Sequence, residues 1–291
     1  MDNLKEIKNK LENNGWAIVR NVFAKEEVHS LRNKVFLSEQ QGYNKGDLLS
    51  NPNLGHVIYD ERILKIVAEI LGKEPVYFGD SGYQIASVLG RISSGFHKDC
   101  VDRDDQNGPD WKSPYTIIRI GLYLQDHANH SEGLILRTGS HKYIDLTKGE
   151  KVNADTKPGD IVIWYHTTSH SGNAKRIKLI NYPVLGFDGT KSFSSMLYFR
   201  LQKYANFMIQ KAEKDRMAIF MSFGINDHHL DRNIKYLKNR RYAVKNWQNS
   251  KYSPELLDRI KGKKLTVLSM YDVVKDVNLN EIGEANYALK Y

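Results

Sequence analysis

His97-Lys98-Asp99 sets an imidazole and a carboxylate two residues apart, so on an extended backbone both project to the same side. The turn Ser93-Ser94-Gly95 precedes them, after a β-rich run ending at Ile92. Further along, Pro158-Gly159-Asp160 turns into the apolar run Ile161–Tyr165, and Thr167-Thr168-Ser169-His170-Ser171-Gly172-Asn173 follows. A histidine at the far end of that strand adds a third donor opposite the first two. Two imidazoles and one carboxylate on one face of a divalent ion leave the opposite positions open, the facial arrangement of non-haem ferrous sites. The His-x-Asp pattern alone is common by chance; the second segment gives it weight. His166 competes with His170 for the third position, and His97 with Asp99 could also be an exposed turn pair.

Elements able to position these groups are readable from periodicity. Leu4, Ile7, Lys8 and Leu11 recur at helical spacing until Asn13-Asn14-Gly15 stops the helix, and residues 16–23 read as a strand. Residues 25–38 form a second amphipathic helix, with Val28, Leu31, Val35 and Phe36 on one face, and residues 61–71 a third, closed by Gly72. From about residue 75 short β-rich runs follow one another between Gly, Pro, Asp and Asn: 76–78, 84–92, 115–124, 133–137, 160–165 and 177–185. Such spacing suggests a sandwich or barrel, not a parallel α/β sheet, and neither a dinucleotide fingerprint nor a phosphate loop occurs in a fitting context. A helix is expected over 197–214, a strand over 216–224, and a mostly helical tail from Asp227 with Leu230, Ile234 and Leu237 on one face. The expected organisation is a β core with flanking helices over residues 1–225 and a helical C-terminal extension, 226–291, packed on it.

Composition narrows the classes further. The 291 residues carry 43 Lys+Arg against 34 Asp+Glu, a formal charge of +9, but the lysines are dispersed. That reads as solvated surface, with attraction of an anionic substrate as the alternative, and it argues against the concentrated basic stripe of a nucleic-acid binder. The single Cys100 excludes a disulfide framework and any cysteine-built zinc or iron–sulfur site. With no apolar run of membrane length and no secretory h-region at the start, the expectation is a soluble cytoplasmic protein.

Over residues 10–225 the chain resembles the phytanoyl-CoA dioxygenase family of Fe(II)/2-oxoglutarate oxygenases. The stretches that carry the likeness, in the family's order, begin with Gly15-Trp16-Ala17-Ile18-Val19, Phe96-His97-Lys98-Asp99 and Gly121-Leu122-Tyr123-Leu124-Gln125-Asp126. They continue with residues 132–142, ending Gly139-Ser140-His141-Lys142, and with Gly159-Asp160 before His170-Ser171-Gly172-Asn173. The resemblance implies a double-stranded β-helix, a jelly-roll core, binding Fe(II) through His97, Asp99 and His170. It further implies 2-oxoglutarate and O2 as co-substrates, the far carboxylate of 2-oxoglutarate meeting an arginine at the start of the last core strand. Arg216, opening Arg-x-Ala-Ile, suits that place and makes residues 174–215 an insertion; Arg176, in a tighter hairpin, is the alternative, and Arg216 could instead cap a strand at the surface. A carboxylate at position 99 disfavours halogenation, leaving hydroxylation of a small, anionic organic substrate (an acyl-CoA, a sugar or glycan, a natural-product intermediate) as the default. A nucleic-acid-binding or modifying protein of the same fold, or a non-catalytic metal-binding module, are the competing classes.

Other residues take structural readings. His141, in the Gly-Ser-His turn, is expected to be a structural hydrogen-bonding residue, His228-His229 to be a surface pair at a helix start, and Trp16, Trp111, Trp164 and Trp247 to pack in the core or under a lid. Residues 101–110, polar and turn-rich, are either a mobile loop over the site, hinged near Trp111 and Tyr115, or a plain surface loop.

Overall fold

Our computed structural model describes residues 3–86, 95–178, 182–184 and 215–282. The helix expected over 197–214, most of the proposed insertion, and the end of the strand expected over 84–92 lie outside the described residues.

Three helices come first. α1 (Leu4–Asn14) buries Ile7 and Leu11 and is capped by the Asn3 side chain, which accepts from the Lys5 N–H. It stops at Gly15, whose positive φ of 82° a residue with a Cβ rarely adopts, and whose missing side chain leaves room for the His141 ring. α2 (Lys25–Gln40) and α3 (Glu61–Leu71) follow β1 (Trp16–Val19), a strand shorter than the expected 16–23. The strands of the core are β2 (Val76–Ala86), β3 (Ile118–Tyr123), β4 (Gly133–Thr138), β5 (Glu150–Asn153), β6 (Ile161–Tyr165), β7 (His170–Ile177), β8 (Tyr182–Val184) and β9 (Arg216–Gly224). The expected run 76–78 and the described start of the run 84–92 belong to one long strand, β2, with an irregularity between Tyr77 and Ser81.

With β10 (Thr266–Val267) from the C-terminal segment, the strands form two sheets, ordered β1-β6-β3-β9-β2-β10 and β5-β4-β7-β8. His97 joins the second sheet by pairing antiparallel with His170, each backbone N–H donating to the other's carbonyl at 3.0 Å. Passing from β2 to the His97 segment, β3, β4–β5, β6, β7 and β9, the chain alternates between the sheets, which defines a double-stranded β-helix.

Alternation along each strand divides the side chains between two cores. Ile118, Ile120, Leu122, Ile161, Ile163, Ile219 and Met221 face outward, packing with Leu11, Val35, Ile63 and Val67 of the helices. Tyr123, Val162, Trp164 and Ala218 face inward, meeting Leu134 and Leu136 of the smaller sheet. The helices thus cover the outer face of the larger sheet, and the barrel interior is left to residues from both sheets.

The C-terminal segment carries α4 (His228–Leu237), α5 (Arg241–Gln248), α6 (Pro254–Ile260) and α7 (Met270–Val274), and also a short strand, β10 (Thr266–Val267). β10 pairs in parallel with Val76 and Tyr77 of β2, so this extension is not helical throughout. Trp247 is buried and its indole N–H donates to the Gly79 carbonyl at 3.1 Å, fastening α5 to the β2 irregularity.

Candidate metal centre

The structure brings His97, Asp99 and His170 together: one donor atom from each lies within 4.8 Å of the others. The His97–His170 backbone pairing and the bond from the Asp99 N–H to the His166 carbonyl (2.8 Å) hold the two segments in register. His97 Nδ1 faces the Gly95 carbonyl at 3.2 Å and His170 Nδ1 the Thr168 carbonyl at 3.0 Å. A carbonyl can only accept, so each ring carries a proton on Nδ1 and turns Nε2 toward Asp99 as the nitrogen that could take a metal. These Nε2 atoms lie 3.8 and 3.5 Å from the Asp99 oxygens. Side-chain exposure falls from 33% at His97 to 7% at His170, so access comes from the His97 side.

Electrostatics suit a cation. Burial pushes the His170 imidazole down to about 3, with His97 beside it adding to the effect, so His170 is neutral and its lone pair is available. At Asp99 burial acts to raise the carboxyl, but the His170 ring in its charged form and the Arg119 guanidinium outweigh it and hold the group well below the usual carboxylate range. Arg119, from β3, donates from Nη1 to Asp99 Oδ2 at 3.2 Å, and its other terminal nitrogen lies 3.6 Å from Asp80 Oδ1. Ser222 Oγ donates to Asp80 Oδ2 at 2.7 Å, and His166 Nε2 lies 3.1 Å from that hydroxyl. His166 therefore stands in the network behind the trio rather than among its three donors.

Deeper in the barrel, Trp164 lies 5.4 Å from the His170 ring, Phe220 lies 5.9 Å from Tyr123, and the Arg216 guanidinium lies 5.7 Å from the Tyr123 ring. Arg216 is buried at 6% exposure, which removes the reading of a surface strand cap. Its polar partners are neutral: the Glu132 carbonyl at 2.9 Å and Gln84 Oε1 at 3.2 Å. It has no carboxylate partner among the described residues. Arg176 differs, because its guanidinium is paired with the Asp155 carboxylate and donates to the His127 carbonyl. The buried Trp164 indole N–H also has no acceptor among the described residues. A buried cation without a counter-charge and an indole donor without an acceptor together fit an anionic, oxygen-rich guest.

Other residues singled out in the sequence settle into supporting places. Lys98, between the two candidate ligands, turns away from them; its ammonium is buried and donates to the Ser140 and Thr167 carbonyls at 2.8 and 2.6 Å. Burial pushes it down to about 8. His141 places Nε2 3.1 Å from the Glu12 carbonyl and stacks on Tyr165. Asp160 accepts from the backbone N–H groups of Asn21 and Lys157 and from Arg20, fixing the turn that starts β6. The expectation of a surface pair at 228–229 is corrected: His228 is exposed but His229 is buried, with its ring nitrogens 3.1 Å from Thr116 Oγ1 and 3.3 Å from Ser113 Oγ. Asp227, His228 and His229 also cluster, but Asp227 caps α4 and its second oxygen accepts from Thr116, so that group has a structural occupation.

The segment after Asp99 is tied down. Asp110 accepts from the backbone N–H groups of Val101 and Asp102, Trp111 donates to the Asp102 and Asp105 carbonyls, and Arg232 of α4 reaches Asp102 at 2.5 Å. Arg119, Asp80 and Ser222 are the site residues that sequence reasoning missed. One signal was present: Arg119 is the sole charge in the apolar run Ile117–Leu124 and must face either the barrel or the apolar layer outside it.

No protein-family model matches the chain, and no curated protein matches it in sequence. Solved structures do share its fold. AviO1 from Streptomyces viridochromogenes Tue57 superposes with a TM-score of 0.50 at 13% identity, over 78% of this chain and 96% of that one. EctD from S. alaskensis gives 0.51 at 12% identity, over 75% of each chain. HygX from Streptomyces hygroscopicus, whose structure holds nickel and 2-oxoglutarate, gives 0.50 at 14% identity, over 76% of this chain and 86% of that one. At such identities the likeness is one of fold.

Proposed function

We propose that this protein is a non-haem Fe(II)/2-oxoglutarate-dependent oxygenase that hydroxylates a C–H bond of a small organic substrate. The observation that carries the reading is the convergence of the His97 and His170 Nε2 atoms on the Asp99 carboxylate, with both Nδ1 protons committed to backbone carbonyls. The donor set fits ferrous iron: two imidazoles and one carboxylate, with one side of the trio open. The nickel and 2-oxoglutarate held by the similarly folded HygX support the same pairing of guests here.

When bound, iron would supply the activation of O2 that couples oxidative decarboxylation of 2-oxoglutarate to oxidation of the substrate. The chain's own residues do the positioning. His97, Asp99 and His170 would hold the metal on one face, and Arg216 would anchor the far carboxylate of 2-oxoglutarate through its planar fork. Trp164, Phe220 and Tyr123 line the interior between these groups and exclude water from it. The motif order that resembles the phytanoyl-CoA dioxygenase family supports placing the chain near that group, and the dispersed positive charge supports an anionic substrate.

The test is anaerobic reconstitution with Fe(II) and 2-oxoglutarate, followed by admission of O2 and measurement of succinate. The wild-type protein should release succinate slowly without substrate and faster with the right one, and Asp99→Ala should release none. Succinate release by Asp99→Ala at the wild-type rate would refute the assignment.

A further inference from the structure

We propose that Asp80 and Arg119 form a positioning pair that sets how firmly the centre holds its divalent ion, acting through Asp99 in opposite directions. This rests on the metal reading above. Arg119 is shared between two carboxylates, 3.2 Å from Asp99 Oδ2 and 3.6 Å from Asp80 Oδ1. Its hold on Oδ2, the oxygen 3.5 Å from His170 Nε2, fixes the Asp99 carboxylate, whose Oδ1 faces His97 Nε2 at 3.8 Å. Asp80 competes for the same guanidinium and is itself braced: Ser222 donates to its other oxygen at 2.7 Å, and His166 lies behind Ser222 at 3.1 Å. The circuit closes on Asp99, whose N–H donates to the His166 carbonyl at 2.8 Å. It therefore spans β2, β3, β9 and the end of β6, so the aim of Asp99 is set by four parts of the larger sheet.

The charge balance gives the pair its sign. Counting the two carboxylates and the one guanidinium, the centre stands at −1, which a divalent ion turns to +1 and a dianionic co-substrate returns to −1. Without Asp80, the whole Arg119 charge falls on Asp99 and the carboxylate is a poorer donor. Without Arg119, two carboxylates face the ion with nothing to offset them.

The experiment is calorimetric titration of the full-length apo-protein with Co(II) alone, under anaerobic conditions, in wild type, Asp80→Asn, Arg119→Gln, the double variant and His97→Ala. Asp80→Asn should weaken Co(II) binding and Arg119→Gln should tighten it, each on the order of tenfold, and the double variant should return to near the wild-type value. A merely structural role would weaken binding in both single variants. If Arg119→Gln does not give a cooperative thermal melt, recovery of affinity in the double variant over Asp80→Asn supports the pair, and no recovery overturns it. Weakening in both singles, or a shift in neither, also overturns it. Failure of the metal reading looks different: wild type and His97→Ala then bind Co(II) alike, or neither binds.

Discussion

Replacing either candidate arginine by glutamine separates the two roles that sequence alone leaves open. Arg216 is buried, donates to a carbonyl and an amide oxygen, has no carboxylate partner among the described residues, and lies over the Tyr123 ring inside the barrel. Its charge is therefore available to a carboxylate guest. A hydrogen bond to a charged group contributes about 1.5–3 kcal/mol, and each 1.4 kcal/mol is tenfold in affinity. Arg216→Gln should thus raise the dissociation constant of 2-oxoglutarate for the Ni(II)-loaded protein by roughly 10- to 150-fold. Arg176 already spends its charge on Asp155 and has its Nε on the His127 carbonyl. Arg176→Gln should move that constant by less than about threefold, a surface-sized effect. Isothermal titration of 2-oxoglutarate into each Ni(II)-loaded variant, in nickel-saturating buffer, reads both numbers directly. A larger loss in Arg176→Gln than in Arg216→Gln would refute the argument from counter-charge.

Two further predictions concern the frame around the site. Gly159 has φ +96°, an added Cβ would lie 2.0 Å from the Phe23 carbonyl oxygen, and its own carbonyl accepts from the Val22 and Phe23 N–H groups; Gly159→Ala should cost about 2–4 kcal/mol by urea unfolding. Asp47 is buried against Tyr252 and the Ser50 N–H, and burial pushes it up to about 6 from an unfolded value near 3.8, so the folded state binds the proton more tightly. Its contribution is fully present below pH 4 and is lost as pH rises through 6; Asp47→Asn should flatten that slope and add up to about 3 kcal/mol at pH 7, measured by unfolding at pH 4.5 and 7. An unchanged slope in the variant would show that another group controls it.

Much of the site was legible because its chemistry is local. His97 and Asp99 share a side through the two-residue strand period, and Gly159-Asp160 announces the strand that leads to His170. Arg-x-Ala-Ile at 216–219 likewise identified a strand whose alternate residues, Ala218 among them, face the interior. Where local signals were thin, expectation and structure part. β5 and β10 are short strands without strong periodicity, formed because β4 and β2 offer them an open edge. The loop after Asp99 has the composition of a free lid, yet Asp110, Trp111 and Arg232 fasten it, and Arg232 comes from a helix far along the chain.

The amino-acid order alone determined the alternation of short strands, the helices that cover them, and the placing of His97 and Asp99 on one side, since these follow from side-chain period and turn chemistry within a few residues. Which arginine keeps an uncommitted charge, which histidine stands behind the trio, and how Asp80, Arg119 and Ser222 surround Asp99 were decided only by the register of β2, β3, β6 and β9. Sheet register brings together residues more than a hundred positions apart, and no local pattern encodes which of them will meet.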